Sequence, residues 1–402
     1  MIKKLTIGNE AYGACKAYRA YGLVGLVVLL GLFGLASCSS DSDEERVEPV
    51  VETPAVEIPV AVRGLVADFQ DNMPVTRGWI PPTGYQLLDN SENVIAVSFT
   101  QNTKEPINGH LFKSGDEWRI NKEINEGTYY LYGYVPHSVG INYSISSSAT
   151  PGDNTSYSSG AVLTLENVPA IMPRDLCVVI GAKNGVDDYK EDVDYPVPGL
   201  RRGDFAYEAA TIEKEGGGTG NFIYLLFDHL YAGMNFHMRV HADYDAVRTI
   251  KLKNIELQAV KGDTPAKEKT TIVVTMTAND GTTNPISSVV FTPTGENTVK
   301  TSIFKSDNGL TLTTDYQTFP GYFTPKGVTK VLLTCTYDVY DTKDNLIRQN
   351  CKATNELRLA DLYDRFDEMR AGTRYNIYIT VHPTYLYVLS DPDLDDPVME
   401  VE

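Results

Sequence analysis

Three histidines fall in one short stretch, and they are the first residues whose type and spacing suggest chemistry. His237 and His241 are four residues apart, which on a helix would place both rings beside one metal ion. The residues around them have the composition of a strand, and four residues along a strand span about 13 Å, too far for one ion. Together with His229, they are predicted to be strand histidines, and no metal site is predicted.

Aspartates at alternate positions, Asp391, Asp393 and Asp395, resemble the start of a calcium loop. The EF-hand pattern requires Gly at the sixth position, where this chain has Asp396. We therefore interpret these residues as a solvated acidic tail. The two prolines within Ser390–Pro397 predict that the preceding strand ends there.

Catalytic and cofactor motifs are missing from the sequence. The glycine-rich run 216–220 lacks the Lys-Ser/Thr of a phosphate-binding loop, and no Gly-x-Ser-x-Gly elbow occurs. Carboxylates are spread throughout the chain, so no pair of them is diagnostic. The sequence predicts neither catalytic residues nor a cofactor, and the net charge of −18 opposes nucleic-acid binding.

Two cysteines, Cys335 and Cys351, flank a predicted β-hairpin. Symmetric pairing of its strands places Tyr340 opposite Leu346 and the two cysteines opposite each other. An export compartment permits a disulfide there. Directly opposed strand cysteines often stay reduced, however, so both states remain open.

The N-terminal segment has the features of a targeting signal. Lysines and an arginine precede Leu23–Leu35, an apolar and glycine run of 13 residues, which is shorter than the about 20 residues of a membrane span. The run leads to Leu35–Cys38, which resembles the lipobox of bacterial lipoproteins. A thiol is the nucleophile that takes a diacylglyceryl group, so Cys38 is the predicted lipidation site and the outer-membrane lipid its partner.

Short β-rich runs separated by turns dominate the chain from residue 58 onward. In residues 373–381, apolar Tyr375, Ile377 and Ile379 alternate with other residues, as in a half-buried strand. The only helix candidate is residues 359–369. Many strands with almost no helix predict an all-β fold built from β-sandwiches.

The composition divides the chain into five segments. Residues 1–37 are predicted to be a lipoprotein signal peptide, and residues 38–57 an acidic, proline-containing tether. Residues 58–185 are predicted to form an N-terminal β-sandwich, residues 186–220 a linker region, and residues 221–402 a C-terminal β-sandwich with an extended tail.

Four sequence features in this order resemble the fimbrillin family of Bacteroidetes, the subunits of surface pili. The lipobox is followed by an acidic run, residues 41–45. Residues 173–179 close the first half, residues 227–238 open the second, and residues 372–383 lie near the end. The resemblance implies two transthyretin-like β-sandwiches in tandem, export as a lipoprotein and a place at the cell surface or in a fimbria.

The resemblance also implies how such subunits assemble. In polymerising members an arginine-specific protease removes the first strand, and an extended segment of the next subunit fills the groove in a head-to-tail polymer. Arg77, in a turn-rich stretch, is the first candidate for this cleavage, followed by Arg63 and Arg46. The candidate donor strand consists of Tyr385, Leu386, Tyr387, Val388 and Leu389. The same segment could instead be the last strand of the second sandwich.

The sequence therefore predicts a non-enzymatic, structural and adhesive pilus subunit, with other subunits and an arginine-specific protease as partners. The alternative is a glycan-binding surface lipoprotein of a polysaccharide-uptake system. Its anchor and sandwiches would look the same, and the 25 tyrosines could stack against sugars. A surface hydrolase is a weaker third interpretation, which would need a pocket of convergent carboxylates.

Overall fold

The structure is a computed structural model. It describes residues 58–71, 85–88, 94–138, 140–184, 205–207, 222–277, 285–362, 369–385 and 392–401. Within those residues, no helix has both the length and the apolar character needed to cross a membrane.

Strands make up most of the described chain, as the sequence predicts. In order they are β1 (Ile58–Ala67), β2 (Gln70–Asp71), β3 (Tyr85–Leu87), β4 (Ile95–Thr100), β5 (Ile107–Ser114), β6 (Glu117–Ile120), β7 (Gly127–Val135), β8 (Asn142–Ser146), β9 (Gly160–Pro169), β10 (Ile171–Met172), β11 (Cys177–Asn184), β12 (Phe205–Tyr207), β13 (Phe222–His229), β14 (Ala232–Val240), β15 (Arg248–Lys261), β16 (Thr264–Pro265), β17 (Lys267–Thr277), β18 (Ile286–Asn297), β19 (Thr301–Thr311), β20 (Gln317–Phe323), β21 (Lys330–Asp341), β22 (Leu346–Arg358), β23 (Thr373–Tyr385) and β24 (Pro392–Val401). The helices are a 3-10 turn (Tyr157–Ser159), α1 (Ala242–Asp245) and α2 (Leu359–Leu362). The all-β class is confirmed.

Seven strands close into an N-terminal barrel. Its order is β11, β13, β1, β6, β5, β4 and β7, and β7 pairs again with β11. Because side chains alternate along a strand, every second residue points inward. Residues such as Val97, Leu131, Leu225 and Phe227 form one buried core inside the barrel.

The barrel includes β13, which follows the predicted linker 186–220. This strand lies between β1 and β11, and it runs parallel to β1 from the Ala61–Phe222 pair onward. The composition break therefore falls between two barrel strands, β11 and β13. Composition does not encode which strands pair across such a break.

A four-stranded sheet packs on the outside of the barrel. Its order is β18, β17, β9 and β8, so it also joins strands from both halves of the sequence. Leu163, Leu165 and Ile272 of this sheet share a buried core with Tyr132 and Leu226 of the barrel. Both faces of several barrel strands are therefore covered, as in β4, where every residue is buried.

The remaining strands form a C-terminal sandwich of two sheets. One has the order β10, β20, β14 and β23, with β2 and β24 both paired to β23; the other has the order β16, β15, β21 and β22, with β19 paired to β15. Between them lies the largest of the buried clusters, which includes Phe236, Leu252, Leu333 and Ile377.

β23 ends at Tyr385, ahead of the predicted break at Ser390–Pro397, but the acidic tail forms a second strand instead of a solvated segment. Within it, β24 pairs antiparallel with β23 from Tyr385–Pro392 to Ile379–Val401. Proline is tolerated as the first residue of a strand and on an edge strand, where its missing N–H is not needed. Among the described strands, β24 pairs with β23 alone.

The helix prediction was partly right. Of the predicted helix 359–369, the structure shows α2 over Leu359–Leu362, and residues 363–368 lie outside the described residues. The sequence analysis missed α1, a single turn that begins after His241. The His241 side chain accepts a hydrogen bond from the Asp243 backbone N–H, which satisfies one free donor of the first turn.

The cysteine pairing predicted for the β21–β22 hairpin is wrong. Tyr340 does pair with Leu346, but two register shifts follow, so Cys335 pairs with Ala353 and Cys351 with Tyr337. Neither cysteine forms a disulfide in the described structure. Each bulge inserts an extra residue into one strand, which symmetric counting from the turn cannot anticipate.

Two neighbouring histidines on the barrel give a pH-dependence prediction. The rings of His110 and His137 lie 3.9 Å apart, and the Asn121 amide approaches His110 Nδ1 at 3.0 Å. Burial, with the neighbouring His137 and Lys122, lowers the pKa of His110 to about 4. Burial likewise lowers the pKa of His137. The folded protein therefore keeps both rings neutral below the pKa of an unfolded histidine.

We expect the free energy of unfolding to fall as the pH drops from about 6.5 to about 4, because only the unfolded chain then takes up these protons. In the His110→Gln variant, this fall in the free energy of unfolding should be smaller by about 1–2 kcal/mol, a figure that includes a reduction for solvent screening. Urea unfolding of both proteins at pH 7 and pH 4.5 measures the difference. Equal pH dependence in the two proteins would refute the prediction.

Candidate functional site

The first strand, β1, occupies a slot in the barrel wall. On one side it pairs in parallel with β13 through residues 61–66. On the other side it pairs antiparallel with β6 through residues 58–60 and with β3 through residues 65–67. Without β1, the backbone N–H and C=O groups of β13 and β6 that face it would have no hydrogen-bond partners.

The inward side chains of β1 fill one side of the barrel core. Ile58, Val60, Val62 and Val66 are all at most 9% exposed and pack in the barrel cluster. Gly64 stands between them, where an added Cβ would lie 3.1 Å from the Phe227 ring. The slot therefore fits an extended segment with apolar residues at alternate positions and a small residue where Gly64 lies, beside Leu88 and the Phe227 ring.

The predicted processing residues occupy different places. Arg63 lies in the middle of β1 and is 8% exposed, so a protease would reach its peptide bond only after β1 leaves the sheet. Arg77, Arg46 and the predicted lipidation site Cys38 lie outside the described residues. These assignments stay predictions.

The predicted donor segment begins at the end of β23. Tyr385 is the last residue of that strand, and Leu386, Tyr387, Val388 and Leu389 lie outside the described residues. The chain continues in β24, on the edge of the sheet. Among the described strands, β24 pairs with one neighbour, β23. In contrast, β1 pairs with strands on both of its edges.

The chain leaves β1 by crossing to the C-terminal sandwich. Gln70 and Asp71 of β2 pair in parallel with Thr373 and Arg374 of β23. Between the two strands, the Phe69 ring lies under the Arg374 guanidinium, 4.6 Å from its Cζ to the ring centroid. The exit from β1 is therefore held by the C-terminal sheet as well as by the barrel.

His229 of β13 contacts the end of β1 and the residues that follow it. Its Nε2 lies 2.6 Å from the Ala67 carbonyl oxygen, and its ring stacks on Phe69 with centroids 3.8 Å apart. Its Nδ1 lies 2.5 Å from Oδ2 of Asp175. Burial alone would lower the pKa of His229, but the charge and hydrogen bond of Asp175 outweigh it, so the pKa stands above its ordinary value.

Cys177 completes this group of side chains. It pairs with His229 across β11 and β13, and its Sγ lies 2.9 Å from Asp175 Oδ2 and 3.6 Å from His229 Nδ1. Burial, reinforced by the Asp175 charge, raises the pKa of the thiol well above its ordinary value. A cavity of about 560 Å³ opens beside the group and is also lined by Arg374 and Tyr322.

The sequence analysis correctly predicts His229 as a strand residue but misses the group around it. Asp175 and Cys177 are two residues apart, and His229 is far from both in the chain. Only the pairing of β11 with β13 brings the three together. Strand register is not encoded in motif spacing, so no local signal could have revealed the group.

An aromatic cluster lies on the outer face of the C-terminal sandwich. The His237 ring stacks on Tyr378 at 4.7 Å, and Tyr316 meets Tyr378 edge-on at 5.2 Å. Both tyrosines are exposed, at 36% for Tyr316 and 40% for Tyr378. Arg239 lies over the Tyr316 ring, 4.5 Å from the guanidinium carbon to the centroid. His241, four residues further on, caps α1 instead of joining this cluster.

Comparison with known proteins finds similarity in structure only. No protein-family model matches the chain, and no curated protein matches its sequence. A candidate cell adhesion protein from Bacteroides fragilis is 11% identical, with a TM-score of 0.36 over 85% of this chain and 97% of that chain. Another from Bacteroides uniformis is 11% identical, with a TM-score of 0.29 over 86% of this chain and 97% of that chain.

The fimbrial anchor protein from Porphyromonas gingivalis is also similar. It is 11% identical, with a TM-score of 0.22 over 86% of this chain and 97% of that chain. Identities and TM-scores this low assign neither a function nor a partner. The chain is thus similar in structure, at low identity, to adhesion and fimbrial proteins of Bacteroides and Porphyromonas.

Proposed function

We propose that the chain is a structural and adhesive subunit of a cell-surface pilus. It is exported as a lipoprotein that carries its lipid on Cys38, and it is assembled by strand exchange after arginine-specific cleavage. The observation that supports this most strongly is the position of β1. This strand is the first described element and is buried on both faces. It lies between β13 and β6, and neither of these strands adjoins it in the sequence.

The exchange would work through main-chain hydrogen bonds and alternate side chains. Cleavage after Arg77 would disconnect β1 and β2 from the rest of the chain, so that β1 can leave the barrel and β2 the C-terminal sheet, with no strand left between β13 and β6. An incoming extended segment restores both rows of backbone hydrogen bonds, which is the mode of β-strand addition. The C-terminal region from Tyr385 onward supplies such a segment, because β24 is held by β23 alone among the described strands.

Digestion of the purified protein with an arginine-specific protease tests the proposal. We expect oligomers that survive mild SDS, with Gly78 as the new N-terminal residue. The matched control is Arg77→Lys, which keeps the charge but removes the cleavage site. If the cut protein stays monomeric at high concentration, assembly by strand exchange is wrong, and an anchor that keeps its lipid becomes the better interpretation.

The aromatic cluster on β14 and β23 favours a second candidate, the glycan-binding surface lipoprotein. Exposed tyrosine rings beside an arginine offer a stacking face and hydrogen-bond donors to a sugar. Affinity electrophoresis against a panel of polysaccharides separates the two functions. Retardation that Tyr378→Ala abolishes would support glycan binding, and unchanged migration on every polysaccharide would reject it.

A further inference from the structure

The group Asp175, Cys177 and His229 presents three metal-ligand atoms to one point. One oxygen, one sulfur and one nitrogen lie within 4.8 Å of one another. The Cys177–His229 cross-strand pair fixes the positions of the thiol and the imidazole. Cys177 is 3% exposed and His229 is 5% exposed, so the two softer donors are inside the protein.

The hydrogen bond of His229 to Ala67 determines which ring nitrogen is available. A carbonyl oxygen only accepts, so Nε2 carries a hydrogen and donates it. In the neutral ring, Nδ1 then has a lone pair, and that lone pair faces the Asp175 carboxylate at 2.5 Å. Two acceptors lie this close only when they share a proton, so Nδ1 and the carboxylate hold a proton between them, in the place that a bound metal ion would take once the two atoms move apart.

We propose that Asp175, Cys177 and His229 form a binding site for a zinc-type divalent ion. Thiolate, imidazole and carboxylate are all ligands of Zn²⁺, whereas a thiolate disfavours Ca²⁺ and Mg²⁺. A water molecule from the adjoining cavity supplies the fourth ligand. The site is independent of the proposed pilus function, because it rests only on these three side chains and their surroundings.

The distances fit a site that closes slightly when no ion is bound. Ligand atoms of a tetrahedral zinc site lie about 3.3–3.6 Å apart. The sulfur and nitrogen are already 3.6 Å apart, while the Asp175 oxygen is closer to both, at 2.9 Å and 2.5 Å. Asp175 is also the most exposed of the three, with a side chain 14% exposed, and its Oδ1 has no hydrogen-bond partner in the described structure. Its carboxylate can therefore withdraw toward the cavity to admit an ion.

An ion bound here would tighten the exit from β1. Metal-bound histidines commonly donate their second ring N–H to a backbone carbonyl, which fixes the ring and its partner. In this chain that carbonyl is Ala67, the last residue of β1. Binding displaces the Cys177 thiol proton and any proton on His229 Nδ1 to solvent, as the sulfur–metal and nitrogen–metal bonds form.

The test uses the purified full chain, stripped with a chelator and then titrated with Zn²⁺ and with Co²⁺. We expect one equivalent of Zn²⁺ to bind, release protons and raise the melting temperature. Co²⁺ should give a thiolate-to-metal charge-transfer band. Cys177→Ser should lower the affinity by about 100-fold or more, and Cys351→Ser, a matched change of a cysteine outside the group, should leave it unchanged.

Two results would overturn the site. One is the absence of a thiolate–cobalt band in the unmodified protein, which does not depend on how any variant folds. The other is a Cys177→Ser protein that has the circular dichroism spectrum of the parent and binds Zn²⁺ equally well. In both cases the cation between Nδ1 and the carboxylate is a proton, and the group is a buried ion pair.

Discussion

A chain that begins at Gly78 is expected to lose its stable monomeric state, while a chain that begins at Thr53 keeps it. Only the shorter chain lacks β1 and β2. The four inward apolar side chains of β1 contribute about 1.5–3 kcal/mol each, or about 6–12 kcal/mol together. That is comparable with the whole stability of a typical domain. The shorter chain should therefore melt far below the longer one or oligomerise through its open slot.

Size-exclusion chromatography with light scattering and thermal melting measure the two outcomes. A synthetic peptide of residues 58–71 should restore the monomer and the melting temperature, because it refills the slot with the original contacts. A peptide with Val62→Asp serves as the control, since it would place a charge in the barrel core. A Gly78 chain that is monomeric and melts like the Thr53 chain would show that β1 is dispensable.

Gly133→Ala is expected to lower the free energy of unfolding by about 3–5 kcal/mol. Gly133 lies in β7 opposite Val97 of β4, and an added Cβ would lie 2.0 Å from the Ala96 carbonyl oxygen. That atom belongs to the backbone of a fully buried strand, so it cannot move without disturbing the barrel.

The control for this substitution is Gly140→Ala, because an added Cβ there has no atom within 4 Å. Urea unfolding of the two variants and the parent gives the comparison. We expect the parent and Gly140→Ala to share one midpoint within error. An equally unchanged midpoint for Gly133→Ala would mean that β4 and β7 are farther apart in solution than in the structure.

The strands themselves were predictable because burial imposes a period of two on the sequence. Residues 373–381 alternate as predicted, and they form the inner strand β23 with Tyr375 and Ile377 in the core. Residues 95–100 are rich in β-branched and aromatic residues, and they form β4, which is buried on both faces. Local composition is therefore sufficient for the all-β class.

Pairing was less predictable, because it depends on residues far apart in the chain. Nothing local marks β13 as a neighbour of β1, and the bulges in β21–β22 that separate Cys335 from Cys351 have no clear sequence signature. The group around His229 belongs to the same category, since it exists only in one register of β11 against β13. An acidic, proline-containing strand such as β24 also runs against average strand composition, and its edge position explains why it is tolerated.

The distant pairing of β1 also has a consequence for the order of folding. Ala61 pairs with Phe222, and Gln70 pairs with Thr373, so neither contact can form until most of the chain has been made. Closing such long loops costs entropy before any contact repays it, which slows folding. Strands that join after the rate-limiting step affect mainly the unfolding rate. We therefore expect β1 to join late, so that substitutions in β1 change the unfolding rate of the barrel more than its folding rate.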